Sequence, residues 1–174
     1  MPETRARAGI TGGMTPEEFE EWASDYLNEH IYPRYKIEID NVDGKYHYDK
    51  LGTHAKCDVL IEEKHRRFDP DKFRKVPDDL LVEVLQDAST GQLGWFWFPP
   101  DRHANTMFVY SQFYGDVLVR AITWMHSDMR GWVADAQNWK HIRLHKSTKG
   151  KGLTVNLVIP IKELGMVVRT WHGA

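Results

Sequence analysis

After residue 34 the sequence consists mainly of short apolar or alternating runs separated by turn residues, and this feature predicts a strand-rich fold. Runs of this length with β-branched and aromatic residues are typical of strands. Asp43-Gly44 is a hairpin signal, and Gly52-Thr53-His54 predicts another turn. We therefore predict strands at 35–40, 45–51, 56–64, 79–87, 91–98, 106–113, 117–121 and 153–161.

One strong helix start precedes these runs. Thr15 can cap a helix, Pro16 suits its first position, and Glu18 completes a capping box. Apolar residues then recur at helical spacing until Pro33 stops the pattern, which predicts a helix over 16–31. A second helix is indicated by a sparser set of residues: Met125, Met129, Trp132, Val133 and Ala136.

The order of elements predicts an α+β fold of the α/β-sandwich type. It would have an N-terminal helix followed by a mixed, mostly antiparallel β-meander with a second helix. A chain of 174 residues is one domain by the usual length rule. Residues 1–14 are rich in Gly and Arg, and we expect a flexible lead there and a single domain over 15–174. The formal charge of −2 argues against a uniformly basic surface but allows a basic cleft.

Three absences in the sequence narrow the class of protein. The single cysteine, Cys57, excludes an intramolecular disulfide and a multi-cysteine zinc site. No apolar run approaches the roughly 20 residues of a membrane span. The first residues lack the apolar segment of a secretory signal, so we expect a cytoplasmic protein without a membrane partner.

Glu62 and Lys64 are two residues apart on the predicted strand 56–64 and therefore share a face. A carboxylate beside a lysine suits metal-assisted hydrolysis of a phosphodiester. The acid helps to hold Mg²⁺, while the lysine positions the attacking water and balances developing charge. Because Mg²⁺ usually takes one or two protein carboxylates, a second acid is expected nearby.

Two neighbouring strands could supply that acid. Asp58 shares the face of Glu62, but four residues of extended chain span about 13 Å, which is too far for one ion. If strand 56–64 pairs with 79–87 about the middle of their connection, Asp58 lies opposite Glu83. Pairing with 45–51 similarly places Asp49 opposite Asp58. The sequence thus predicts a row of three acids on adjacent strands, whose repulsion a metal ion would relieve.

These residues resemble the PD-(D/E)xK nuclease superfamily. The likeness rests on a helix, a hairpin, an acidic strand ending in Glu62-x-Lys64 and a later strand carrying Glu83. More narrowly, the chain resembles small phage- and prophage-type nuclease-like proteins over roughly 16–163. The other matching elements are Asp49-Lys50, Asp58, His65-Arg66, Gly94-Trp95, 108–110 and 157–161.

The resemblance implies a restriction-endonuclease-like core and an Mg²⁺-dependent endonuclease acting on DNA, with Mn²⁺ as the alternative ion, in a bacterial host cell. It implies that Asp58, Glu62 and Glu83 bind the metal and that Lys64 acts with them in catalysis. Two alternatives stay open. Asp49 could replace Asp58 as the first acid, or Asp58 and Glu83 could be the two acids, with Leu85 at the lysine position.

Basic residues near these acids indicate a polyanion partner. Arg66 and Arg67 follow Lys64 closely in the sequence. Residues 139–152 form a second basic cluster, which predicts a hairpin with a Gly-rich tip. Such residues contact phosphates and position nucleic acid. We expect Arg66, Arg67, Lys149 and Lys151 to do so. The alternative function is a catalytically inactive protein of this fold that binds nucleic acid or a phage or host protein; a homodimer is compatible with either.

Overall fold

The structure is a computed structural model that describes residues 13–40, 50–54, 57–97, 106–149 and 152–173. Short 3-10 helices occupy Tyr32–Tyr35, Trp95–Trp97, Ala136–His141, Ile161–Glu163 and Gly165–Val167. The longer elements, in chain order, are α1 (Pro16–His30), β1 (Ile37–Asp40), β2 (Lys50–His54), β3 (Cys57–Phe68), β4 (Asp79–Asp87), β5 (Gln92–Leu93), β6 (Thr106–Tyr114), β7 (Val117–Met125), α2 (His126–Ala134), β8 (Arg143–Lys149), β9 (Gly152–Pro160) and β10 (Arg169–His172).

The strands form two sheets. The larger has the order β1-β2-β3-β6-β7-β10, and all its neighbours are antiparallel except the parallel pair β3 and β6. The smaller has the order β5-β4-β9-β8 and is antiparallel throughout. The predicted α+β class with mixed, mostly antiparallel strands is confirmed.

The larger sheet buries both faces, because side chains alternate along each strand. Val109 and Phe113 of β6 pack with α1, through Phe19 and Leu27, on one side. Their neighbour Phe108 packs on the other side with the smaller sheet and α2. The core residues of that second layer include Leu80, Val82, Trp124, Met129, Leu157 and Ile159. β3 therefore lies between two layers, and its successive side chains point into different surroundings.

The start of α1 is the predicted capping box. The Thr15 hydroxyl accepts from the Glu18 amide at 3.2 Å, and the Glu18 carboxylate accepts from the Thr15 amide at 2.7 Å. The helix ends at His30, and Pro33 lies in the 3-10 helix that follows. The predicted helix over 16–31 is confirmed to within one residue.

Replacing Thr15 with alanine should lower the free energy of unfolding by about 1 kcal/mol, since an amide at the helix start loses its acceptor. Urea denaturation measures the change. Thr15→Asp is the matched control, because aspartate also caps helices. A loss as large in Thr15→Asp as in Thr15→Ala would contradict the capping role.

Four predicted elements differ from those observed. The predicted strand at 117–121 is too short, because β7 runs along β6 to Met125 and α2 begins at His126. The predicted turn at 52–54 is wrong, because these residues continue β2 along β3. The predicted end of the next strand at 64 is also wrong: β3 runs to Phe68, since β6 pairs with it from Leu60 onward. The predicted strand at 91–98 is wrong over its described part, which forms the two-residue β5 and a 3-10 helix. The proposed turn at Asp43-Gly44 lies outside the described residues.

The basic cluster 139–152, predicted to form a hairpin, supplies the first strand of one, whose second strand is β9. β8 and β9 are antiparallel, with Lys149 opposite Gly152 at the last described pair. No helix in the described part of the chain has the length and apolar character needed to cross a bilayer.

Candidate functional site

A cleft of about 490 Å³ lies between the two sheets, beside α1. β3 contributes Lys64 and Arg66, and β4 of the smaller sheet contributes Glu83. α1 adds Glu20 and Glu21 at one side. Lys50 of β2 and Glu63 and His65 of β3 also line it. Charged side chains from four separate elements therefore face one space, and such a concave, polar cleft is a candidate binding site.

Glu62 and Lys64 share a face, as predicted. The strand is regular between them, and Lys64 Nζ donates to Glu62 Oε1 at 2.5 Å. The Glu62 side chain is only 9% exposed, whereas that of Lys64 is 34% exposed. Lys64 lines the cleft, whereas Glu62 does not. The structure thus places Glu62 where it holds the lysine in position.

The opposite face of β3 carries a buried polar network that the sequence analysis missed. Lys50 Nζ donates to Glu63 Oε1 at 2.7 Å and to Asn28 Oδ1 at 2.8 Å. His65 Nε2 lies 3.3 Å from Glu63 Oε2, and the Tyr32 hydroxyl donates to Glu63. Glu63 is two residues from buried Ile61, so the period of two along the strand is the signal that could have placed it in the interior.

This network keeps Glu63 ionised. Burial by itself raises the pKa of the Glu63 carboxyl. The hydrogen bond from His65 and the positive charge of Lys50 outweigh burial and lower the pKa from the ordinary 4.5 to about 2. Glu63 therefore carries its charge at neutral pH, and Lys50 balances it inside the protein.

The contacts of His65 are similar to those in a catalytic triad. Ser111 takes the place of the nucleophile, His65 that of the base and Glu63 that of the acid. His65 Nδ1 is 2.7 Å from Ser111 Oγ, and its other ring nitrogen faces Glu63. Ser111 is, however, 0% exposed and does not line the cleft. Because a substrate cannot reach its hydroxyl, this arrangement orients His65 and Glu63 and is not a site of nucleophilic attack.

Glu83 has a polar neighbour on the next strand. Its Cα partner is Asn156 of β9, and both side chains line the cleft. Directly opposed residues on antiparallel strands point to the same side with Cβ atoms about 5 Å apart. The pair therefore presents carboxylate and amide oxygens together. Asn156 was missed, although a single Asn within the apolar run 153–161 was a signal, since a buried amide needs a partner.

Gly94 fixes the backbone beside Glu83. The Gly94 amide donates to the Val84 carbonyl at 3.0 Å. A Cβ at position 94 would lie 2.5 Å from the Glu83 carbonyl oxygen and 2.8 Å from its Cγ. Only glycine fits at this close approach, so the position of Glu83 depends on it.

Gly94→Ala should therefore lower the free energy of unfolding by about 1–3 kcal/mol through overpacking. Gly131→Ala in α2 is the matched control, because a Cβ there meets nothing within 4 Å. That change should be neutral or slightly stabilising, since alanine favours helices. Chemical denaturation of both variants measures the difference, and equal stability of the two would contradict the close packing.

The predicted row of acids is not formed. Asp58 lies opposite Thr53, and Glu83 lies opposite Asn156 in the other sheet, so the predicted pairing of Asp58 with Glu83 is wrong. The predicted pairing of Asp58 with Asp49 is wrong too, and Asp49 itself lies outside the described residues. The cause is the parallel pairing of β3 with β6, which takes the position expected for β4.

The described residues also contain no group of three or more His, Cys, Asp or Glu side chains that could hold a metal ion. Asp58, Glu62 and Glu83 are all described, so they do not make up a three-acid centre. Asp58 is exposed and does not line the cleft. Of the three acids expected to bind metal, only Glu83 lines the cleft.

Of the four residues expected to bind nucleic acid, the two whose side chains are described, Arg66 and Arg67, lie on opposite faces of β3. Arg66 lines the cleft; its guanidinium lies over the Phe68 ring at 4.8 Å and donates to the Tyr110 hydroxyl at 3.4 Å. Burial raises the pKa of Tyr110, so its phenol stays neutral. Arg67 points to the α1 side, over Phe19. The side chains of Lys149 and Lys151 lie outside the described part of the chain.

Comparison of the chain with protein-family models, curated proteins and solved structures found no match. The function of the cleft must therefore be inferred from its own residues.

Proposed function

We propose that the protein is a metal-dependent nuclease that hydrolyses phosphodiester bonds of DNA in this cleft, on a restriction-endonuclease-like core. One observation carries the proposal: Lys64, held by Glu62, and Glu83 face the same cleft from two different sheets. The order of α1 and the antiparallel strands β1, β2 and β3, with Glu62-x-Lys64 on the third strand, also supports it.

A bound metal ion would have few protein ligands. Mg²⁺ prefers oxygen donors and is often held by one or two carboxylates, with water and substrate phosphate completing its shell. Glu83 and the amide oxygen of Asn156 meet that requirement, and Mn²⁺ accepts the same donors. A bound ion would polarise the phosphate oxygens. Neither Asp58 nor Glu62 is assigned to it, because Asp58 lies outside the cleft and Glu62 is paired with Lys64.

The protein groups supply the remaining chemistry. Lys64 Nζ hydrogen-bonds the attacking water and balances negative charge that develops on the phosphate. Glu62 positions Lys64, and Arg66 binds a phosphate through its guanidinium, held in place by Tyr110. The water oxygen forms a bond to phosphorus, the bond from phosphorus to one sugar oxygen breaks, and a proton passes to that oxygen.

A cleavage assay tests the proposal. The purified protein is incubated with plasmid, linear duplex and single-stranded DNA in Mg²⁺, in Mn²⁺ and in EDTA. We expect cleavage of at least one substrate with either ion and none in EDTA. Intact DNA of all three kinds in both metals would contradict hydrolysis.

A non-catalytic binding protein is the second candidate function. One observation favours it: the described residues hold no group of three or more side chains suited to bind a metal ion. In this case the protein would bind DNA without cutting it, and Arg66→Ala would weaken binding. Affinity should fall steeply with salt, since phosphate contacts release counterions. Binding that does not change with salt would indicate a protein partner or another kind of ligand.

A further inference from the structure

A second groove continues the cleft along the smaller sheet. It has a volume of about 280 Å³ and shares Arg66 and Leu81 with the cleft. Its far side is formed by Arg143 and His145 of β8. The pairing of strands explains this placement, because β8 is the neighbour of β9, and Val158 of β9 lies between Leu81 and Arg143. The two spaces therefore form one path across the sheet.

The two ends of this path differ in charge. The β8 end has the cations Arg66 and Arg143 and one acid, Asp79. The α1 end of the cleft has Glu20 and Glu21 beside the ion pair of Lys50 and Glu63, so acids outnumber cations there. A phosphate chain is attracted to the β8 end and repelled by the α1 end. The charges thus favour entry of a polyanion from β8 towards Lys64.

The cations of this path are also set back from the protein surface. The Lys64 side chain is 34% exposed, and Arg66 is half-buried. A phosphate therefore has to enter the path to reach them, and the two base-paired strands of a duplex, held across grooves of about 12 and 6 Å, cannot enter it together. A single strand, with its phosphates along a basic groove, fits such a space.

We propose that the substrate of this cleft is single-stranded nucleic acid, which enters over β8 and passes Arg143 and then Arg66 to reach Lys64. The inference rests on the proposed nuclease function only for the hydrolysis of the strand at Lys64. The route itself depends only on binding, so it can be measured in the absence of cleavage.

Fluorescence anisotropy in EDTA measures that binding. The probes are a labelled single-stranded oligonucleotide and the same sequence as a blunt duplex. We expect the single strand to bind at least about tenfold more tightly than the duplex, because only the strand reaches the inner cations. A duplex that binds as tightly as the single strand would overturn the proposal.

Two charge reversals on β8 test the route. Arg143 and His145 of β8 line the groove, whereas the exposed Lys146 lines neither the groove nor the cleft. Arg143→Glu should weaken single-strand binding by about tenfold or more, and Lys146→Glu by less than about threefold, although both change the net charge equally. Equal losses would show that general charge attraction, and not this groove, holds the strand.

The outcomes separate this inference from the proposed function. Single-strand binding in EDTA that depends on Arg143, without cleavage in Mg²⁺ or Mn²⁺, would support the route and contradict hydrolysis. Metal-dependent cleavage that is faster on duplex than on single strands would support hydrolysis and overturn the route.

Discussion

Replacing Lys64 with alanine should lower the rate of DNA cleavage about 100-fold or more, because a positioned charge that stabilises a developing anion typically contributes that much. The rate of single-turnover cleavage in Mg²⁺ measures the effect. Lys146→Ala is the matched control, since Lys146 is an exposed lysine of β8 that lines neither the groove nor the cleft. It should cleave like the wild type. Undiminished cleavage by Lys64→Ala would contradict the catalytic role.

Loss of Lys64 also removes the ion pair that it forms with buried Glu62, so a structural effect must be separated from a chemical one. The double variant Glu62→Gln/Lys64→Ala removes the unbalanced charge. If cleavage stays low in the double variant while its melting temperature returns towards that of the wild type, the loss is chemical. Recovery of cleavage together with stability would show that Lys64 acts only by balancing Glu62.

Replacing Glu63 with alanine should lower the free energy of unfolding by about 3–5 kcal/mol, because it leaves the charge of Lys50 without its acid in the interior. Urea denaturation at pH 7 measures the loss. Lys50→Met/Glu63→Leu is the control, since it replaces both charges by apolar groups and should cost much less than the single change. A single variant as stable as the wild type would contradict the importance of this pair.

The same carboxylate predicts a pH dependence. The pKa of Glu63 is lowered in the folded protein from 4.5 to about 2, so the folded state favours the ionised form. Its contribution is complete above about pH 4.5 and is lost as the pH falls towards 2. The stability of Glu63→Gln should therefore fall less than that of the wild type over this range. Parallel curves for the two proteins would show that Glu63 makes no such contribution.

The predictions that succeeded rest on local rules. The capping box of α1 involves residues three apart, and the shared face of Glu62 and Lys64 follows from the period of two along a strand. The hairpin of β8 and β9 likewise joins neighbouring segments. Such features depend little on the rest of the chain, which is why the helix and the strands could be placed from sequence.

The predictions that failed depend on distant pairing. β3 pairs with β6, which is far from it in sequence, and this pairing lengthens β3 and moves β4 into another sheet. Asn156 comes opposite Glu83 for the same reason. The aromatic residues at 95–97 predicted a strand. They form a 3-10 helix instead, in which Trp95 and Phe96 are buried in the second core layer. Tertiary packing overrides local preference in such runs.

The central claim is that Lys64 and Glu83, from two sheets, act on one phosphodiester in one cleft. A double-mutant cycle of cleavage rates tests it most directly, with wild type, Lys64→Ala, Glu83→Gln and the double variant. Groups that act as one unit are not additive, so the double variant should be about as slow as the slower single variant. Rate losses that multiply, or a single variant as fast as the wild type, would contradict a shared site.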